Sequence, residues 1–171
     1  ACAILPESEV HLKNMGDFLL AAGDRENAIK AYRESLRVAP GQPDLRRTLS
    51  ALEGTQLDFW SQYAVDTKQA LKQAEKIPLR GSTVRVVDQS VIEIQPDGSR
   101  AEITHEVQKV LTDGGVAEAG QIPIMGEVLE ARTIIPGGQY LEPVRLPQQR
   151  TFTMPGMGRG VAVEYRYLNF V

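Results

Sequence analysis

The sequence predicts an α+β protein: a helical-repeat region in the first half, then an antiparallel β-sandwich left incomplete at the end of the chain. Three observations carry this. Between residues 9 and 40, small and large apolar residues recur at helical intervals. Residues 83–111, TVRVVDQSVIEIQPDGSRAEITHEVQKVL, read instead as two β-rich arms about a Pro96-Asp97-Gly98 turn. Val, Ile and Thr crowd both arms, as a pleated surface prefers, and Pro with Gly suits a tight reversal. After residue 111, turn signals recur at short intervals without helical periodicity between them. The boundary falls at Arg80-Gly81-Ser82, giving a helical region over residues 1–80 and a β-sandwich region over residues 81–171.

Composition bounds the function. With 42% hydrophobic and 24% charged residues, the 171-residue chain has the mix of a globular protein rather than a disordered one. The net charge is −3, and basic and acidic residues number 11 and 11 before position 81 and 8 and 11 after it. No region has the basic density that phosphate backbones require, so nucleic acid is excluded as the expected partner. Cys2 is the sole cysteine, which leaves no intrachain disulfide and no cysteine-rich zinc site. No apolar run approaches the roughly 20 residues that cross a bilayer. The sequence opens Ala1-Cys2-Ala3 without Met, as a processed or partial chain would. Membrane association is expected only if Cys2 is lipidated.

In the first half, Leu12, Met15, Gly16 and Leu19 fall at helical intervals and lead into the turn Ala21-Ala22-Gly23-Asp24. A second helix presents Ala28, Tyr32 and Ser35 and stops before Pro40. Gly16 and Ala28 are small enough to let two helices approach closely, with Tyr32 packed between them. This spacing resembles one tetratricopeptide repeat, whose period is about 34 residues. Leu12 stands where that family commonly has Trp, and Met15 and Leu19 replace its usual Leu and Tyr. Leu12, Gly16, Leu19, Ala28, Tyr32 and Pro40 are the expected packing residues of the repeat. One repeat cannot bury both faces, so it needs neighbours, and its role is expected to be packing rather than peptide capture.

Pro43 at a first helical position and Gly54 bound the next helix, which lacks the small residues of a second repeat. A longer helix is expected over residues 57–76, because Leu57, Trp60, Tyr63, Ala64, Leu71, Ala74 and Ile77 mostly recur every three or four positions. Lys68, Lys72, Gln73 and Lys76 would face water, and Trp60 and Tyr63 would lie in the core. Pro78 ends this helix.

In the second half, Thr112-Asp113-Gly114-Gly115 predicts a turn, and residues 120–124 and 127–135 read as strands. Pro136-Gly137-Gly138 reverses the chain into residues 139–144, and residues 147–160 read as loop. The last run alternates, with Val161, Val163, Tyr165 and Tyr167 on one face and Glu164 and Arg166 on the other. Because the sequence then ends on Leu168-Asn169-Phe170-Val171, this strand is expected to be an exposed edge. Either the polypeptide continues or a partner covers it. Val161, Val163, Tyr165 and Tyr167 are therefore the candidate partner-binding edge strand, working by β-augmentation.

The stretches VVDQSVIEIQPDGS, THEVQKVLTDGGV, LEARTIIPGGQYLEPV and GRGVAVEYRY carry a second resemblance. Residues 83–171 resemble the first half of a bacterial family called domain of unknown function 3857, and FWSQYAVD resembles the linker ahead of it. That family commonly precedes a transglutaminase-like domain and sometimes follows tetratricopeptide repeats. It has no established catalytic motif to carry over. The resemblance implies a bacterial, periplasmic or extracytoplasmic setting, with Cys2 as a possible lipoprotein cysteine.

Chemistry-bearing residues are sparse. Cys2 lacks the context of a nucleophile, and His11 belongs to the first helix. His105 shares strand parity with Ile103, Val107 and Leu111 and is expected to be packed. His105-Glu106 begins like H-E-x-x-H, yet Lys109 stands where the second His is required. Gly156-Met157-Gly158-Arg159-Gly160 has the wrong spacing for a phosphate loop and precedes a strand. No catalytic, cofactor or metal site is expected in this segment. The expected function is a non-catalytic protein–protein interaction or scaffold module of a bacterial envelope protein or complex, its partners being other protein chains. The alternative is the accessory N-terminal region of a transglutaminase-like cysteine protease or acyltransferase whose catalytic domain lies beyond residue 171.

Overall fold

Local chemistry sets the helix ends. The computed structural model describes residues 8–55, 58–95, 98–145 and 148–170. Cys2, Leu57, Pro96, Asp97, Pro147 and Val171, each used in the sequence reading, lie outside the described residues. Helix α1 (Glu9–Ala21) is followed by α2 (Arg25–Val38), whose Asp24 N-cap accepts a hydrogen bond from the Asn27 amide. Helix α3 (Pro43–Glu53) begins on Pro43 and ends at Gly54, a left-handed C-cap. Contacts divide the chain into two units. One holds the described residues up to 62 with 92–102 and 170; the other holds 63–91 and 103–169. The boundary expected at residue 80 does not follow this division.

In the first unit, Ala28, Tyr32, Leu36 and Leu45 form the buried core, with Leu19, Leu20, Leu49 and Leu52 packed against it. Gly16 lets α1 approach α2, since a Cβ there would run into the Tyr32 ring. The Tyr32 hydroxyl donates to Asp17 Oδ1 at 2.8 Å. Burial, and then this bond to Asp17, push the phenol up to about 12. Leu12 and Pro40 are half-buried. Arg46, buried, donates to Ser99 Oγ and lies 5.1 Å from the centre of the Phe170 ring.

The second unit begins differently from expectation. The helix expected over residues 57–76 is a 3-10 turn (Ser61–Tyr63) and a separate helix α4 (Thr67–Ala74). Asp66 is the reason: its backbone is extended and its carboxylate accepts from the Gln69 amide at 3.1 Å, so the helix starts afresh there. Tyr63 is consequently 54% exposed rather than core, while Trp60 is half-buried and meets Phe59 edge to face.

The strands are β1 (Thr83–Ile94), β2 (Arg100–Val110), β3 (Gln121–Pro123), β4 (Glu127–Ile134), β5 (Tyr140–Leu141), β6 (Val144–Arg145), β7 (Thr151–Thr153) and β8 (Ala162–Phe170). They form a five-stranded sheet in the order β1-β2-β8-β4-β5 and a three-stranded sheet in the order β3-β7-β6. The turn expected at residues 112–115 opens a short helix α5 (Gly114–Ala119), and the expected loop over 147–160 contains β7. Val116 and Ala119, three apart, both reach one core, which a helical turn permits and an open turn does not.

β8 is not an edge strand. It lies between β2 and β4, pairing with β4 from Glu127↔Leu168 to Ile134↔Ala162. On its other side the Val110 amide donates to the Val161 carbonyl at 2.8 Å, and the Gly160 amide to the Val110 carbonyl at 2.9 Å. Both ladders are occupied, so its apolar ending reflects an interior strand rather than a free edge. Both faces are covered as well. Ala162 packs with Val87, Val107 and Ile134, joined by Ala70 and Leu71 of α4. Val163 packs oppositely with Val110, Ala119, Ile122 and Met154, residues drawn from both sheets and α5.

Candidate functional site

The alternation along β8 aims Glu164 at the face that α4 covers. Glu164 is fully buried, not solvated as its place opposite the apolar stripe suggests. Its Oε1 faces His105 Nε2 on β2 at 2.9 Å and accepts from the Thr67 hydroxyl at the start of α4. Its Oε2 accepts from Arg132 Nε at 2.7 Å and lies 2.6 Å from Arg132 Nη2, on β4. Burial alone would raise this carboxyl. Hydrogen bonds from His105, Thr67 and Arg132, with the guanidinium charge, outweigh it and hold the group at about 2.

An ionised carboxylate only accepts, so His105 donates to it from Nε2. Nδ1 is buried without a partner among the described residues. His105 itself is 2% exposed. Arg132 completes the set with Glu130 Oε1 at 2.6 Å and the Tyr140 ring, its guanidinium carbon 4.0 Å from the centroid. The arrangement is a brace that ties α4, β2, β4 and β8 together, with His105 and Glu164 sealed from solvent.

Beside it lies an open cleft of about 270 Å³. Lys68, Leu71, Lys72 and Glu75 form one wall, spaced along a single face of α4 and its C-cap. The opposite wall is Ile134 and Ile135 with the Pro136-Gly137-Gly138 turn, and Lys109 and Gly160 close one end. Lys109 and Gly160 also border a second cleft of about 550 Å³ that contains Arg80 and Arg159. Lys109 pairs with Glu75 at 3.3 Å, and Lys68 lies 5.5 Å from the Tyr140 ring centre.

The sequence-predicted residues are placed as follows. Val161 and Val163 are buried, and Tyr165 and Tyr167 are half-buried with their rings stacked 6.1 Å apart. Tyr165 donates to Glu106 Oε2 at 2.6 Å, and burial and that carboxylate push its phenol well up. None of these four presents a free backbone edge. Gly16, Leu19, Ala28 and Tyr32 come together in the first unit's helix pair. The sequence reading missed Glu164, Arg132 and Thr67 as a set, and the lysines as the lining of a cleft. The signal for the lysines was their spacing with Leu71; for Glu164 no local signal existed. Among the described residues no group of three or more metal-ligating side chains converges, and no helix is long and apolar enough to cross a membrane.

No protein-family model matches the chain, and no curated protein does. Among solved structures, one from Parabacteroides distasonis ATCC 8503, described as a "putative protease", is similar over 53% of this chain, at 12% identity and a TM-score of 0.43. The chain spans 23% of that protein's length. Likeness at this level carries no argument about activity.

Proposed function

We propose that this chain is a non-catalytic protein-contact or scaffold module of a bacterial envelope protein or complex. One observation carries the reading. The cluster with acid–base potential, His105 and Glu164, is sealed and hydrogen-bonded within the fold, whereas the accessible chemistry is a cleft lined by apolar and charged side chains. Catalysis requires a group within reach of substrate, and recognition requires only a shaped surface. The envelope setting rests on the resemblance of residues 83–171 to domain of unknown function 3857. In finer terms, α1 and α2 are read as one tetratricopeptide-like repeat, supported by the Gly16–Tyr32 approach, and the two sheets as a β-sandwich, supported by their shared core.

The test is photo-crosslinking in the native cell, with the reactive side chain placed in turn at Phe18, Lys76 and Ile92, all exposed. A discrete polypeptide adduct from at least one position is the expected result. Recovery of the chain without a polypeptide adduct from any position overturns the reading.

A further inference from the structure

We infer that the α4 cleft is a docking site for an acidic segment of a partner chain, one that carries apolar side chains between its carboxylates. This rests on the protein-contact reading above and names the surface and the partner's chemistry. The chain is acidic overall, with net charge −3, yet cations gather here. Lys68, Lys72 and Lys109 line the first cleft, and Arg80 and Arg159 line the second, which continues from it past Lys109. Elsewhere Lys13, Lys30, Arg33, Arg85, Arg132 and Arg166 are paired with carboxylates, while Lys76, Arg100, Arg145 and Arg150 have no ion pair among the described residues but line neither cleft. Lys68, Lys72, Arg80 and Arg159 have no ion pair among the described residues. Among the described residues, Glu75 is the one acidic residue lining either cleft.

The floor selects among anions. Leu71 and Ile135, both half-buried, offer apolar surface that free phosphate or a sugar–phosphate backbone cannot use. A segment alternating carboxylates with apolar residues satisfies both features, its acids reaching the rim and its apolar groups the floor. The N-terminus of α4 does not compete for the anion, because the Asp66 carboxylate already caps it. Glu75 occupies Lys109 in the free protein through an exposed, weak pair, and an incoming carboxylate would take its place.

The probe is a short fluorescein-labelled peptide of alternating Glu and Leu, titrated with the full chain by fluorescence anisotropy. Its counterpart with Gln for Glu, inorganic phosphate and phosphatidylglycerol vesicles serve as controls. The Glu–Leu peptide is expected to bind and the Gln–Leu peptide not. Lys68→Gln with Lys72→Gln should weaken binding about fivefold at unchanged thermal stability. Glu75→Gln should tighten binding, because it frees Lys109 and removes a like charge. Equal binding by the double variant, equal binding of the Gln–Leu peptide, or vesicle or phosphate binding with the same dependence on Lys68 and Lys72 and no Glu–Leu binding overturns the inference. Such a result beside persistent crosslinked adducts rejects the cleft alone; absence of adducts from every position rejects the reading beneath it.

Discussion

His105 Nε2 and Glu164 Oε1 lie 2.9 Å apart on the adjacent strands β2 and β8, both side chains sealed from solvent. The carboxylate takes three kinds of donor at once: imidazole, hydroxyl and guanidinium. A buried charge is tolerated only when so compensated, and removing one donor exposes the cost.

Arg132→Met tests that compensation. It removes the guanidinium from Glu164 and leaves the donors Thr67 and His105 in place. The loss expected is about 3–5 kcal/mol, read as a lowered urea midpoint. A change within about 0.5 kcal/mol would show that the pair contributes nothing.

Stability should also depend on pH through Glu164, whose carboxyl sits at about 2 in the fold against an ordinary 4.5. A depressed carboxyl favours the fold fully above its unfolded value and loses that contribution as pH falls through 4.5 towards 2. The contribution is on the order of 3 kcal/mol. Urea midpoints should fall across this window in the wild type and be flatter in Glu164→Gln. Parallel curves for the two proteins would contradict the assignment.

Gly16→Ala sets two effects against each other. Alanine in a helix interior gains about 0.5–1 kcal/mol over glycine. Its methyl group, however, runs into a Tyr32 ring that is 1% exposed and anchored to Asp17. Overpacking costs about 1–3 kcal/mol, so a lower melting temperature is expected. A raised one would mean that the ring moves freely.

Proline in β8 now carries a different expectation from that of an edge. Val163 is fully buried and pairs with Thr133 in a strand bonded on both sides. Val163→Pro should therefore unfold the second unit rather than selectively remove partner capture. Native near-ultraviolet circular dichroism in that variant would contradict the interior placement.

Much of the α+β order was legible because it is local. Gly16, Ala28 and Tyr32 announce a close helix pair, and Pro43 and Gly54 mark a helix at both ends. One local signal was overlooked: Asp66 with Gln69 three residues later is a helix start inside the run read as one helix. The position of β8 was not local. Alternation separates Glu164 from Val163, but it does not reveal that β2 and β4 flank the strand or that α4 covers its second face. Those depend on pairings between segments tens of residues apart, which periodicity does not encode. The lysine cleft escaped for the same reason, since Lys109 joins Lys68 and Lys72 only once β2 and α4 meet.

The most direct measurement is photo-crosslinking from position 76, two residues past the end of α4, in chains that also carry Glu164→Gln or Lys68→Gln with Lys109→Gln. The polypeptide adduct is predicted to persist with Glu164→Gln, a brace inside the fold, and to be lost with the two lysine changes in the cleft lining. Retention with both lysines replaced, or loss with Glu164→Gln in a chain still folded by circular dichroism, would contradict the account.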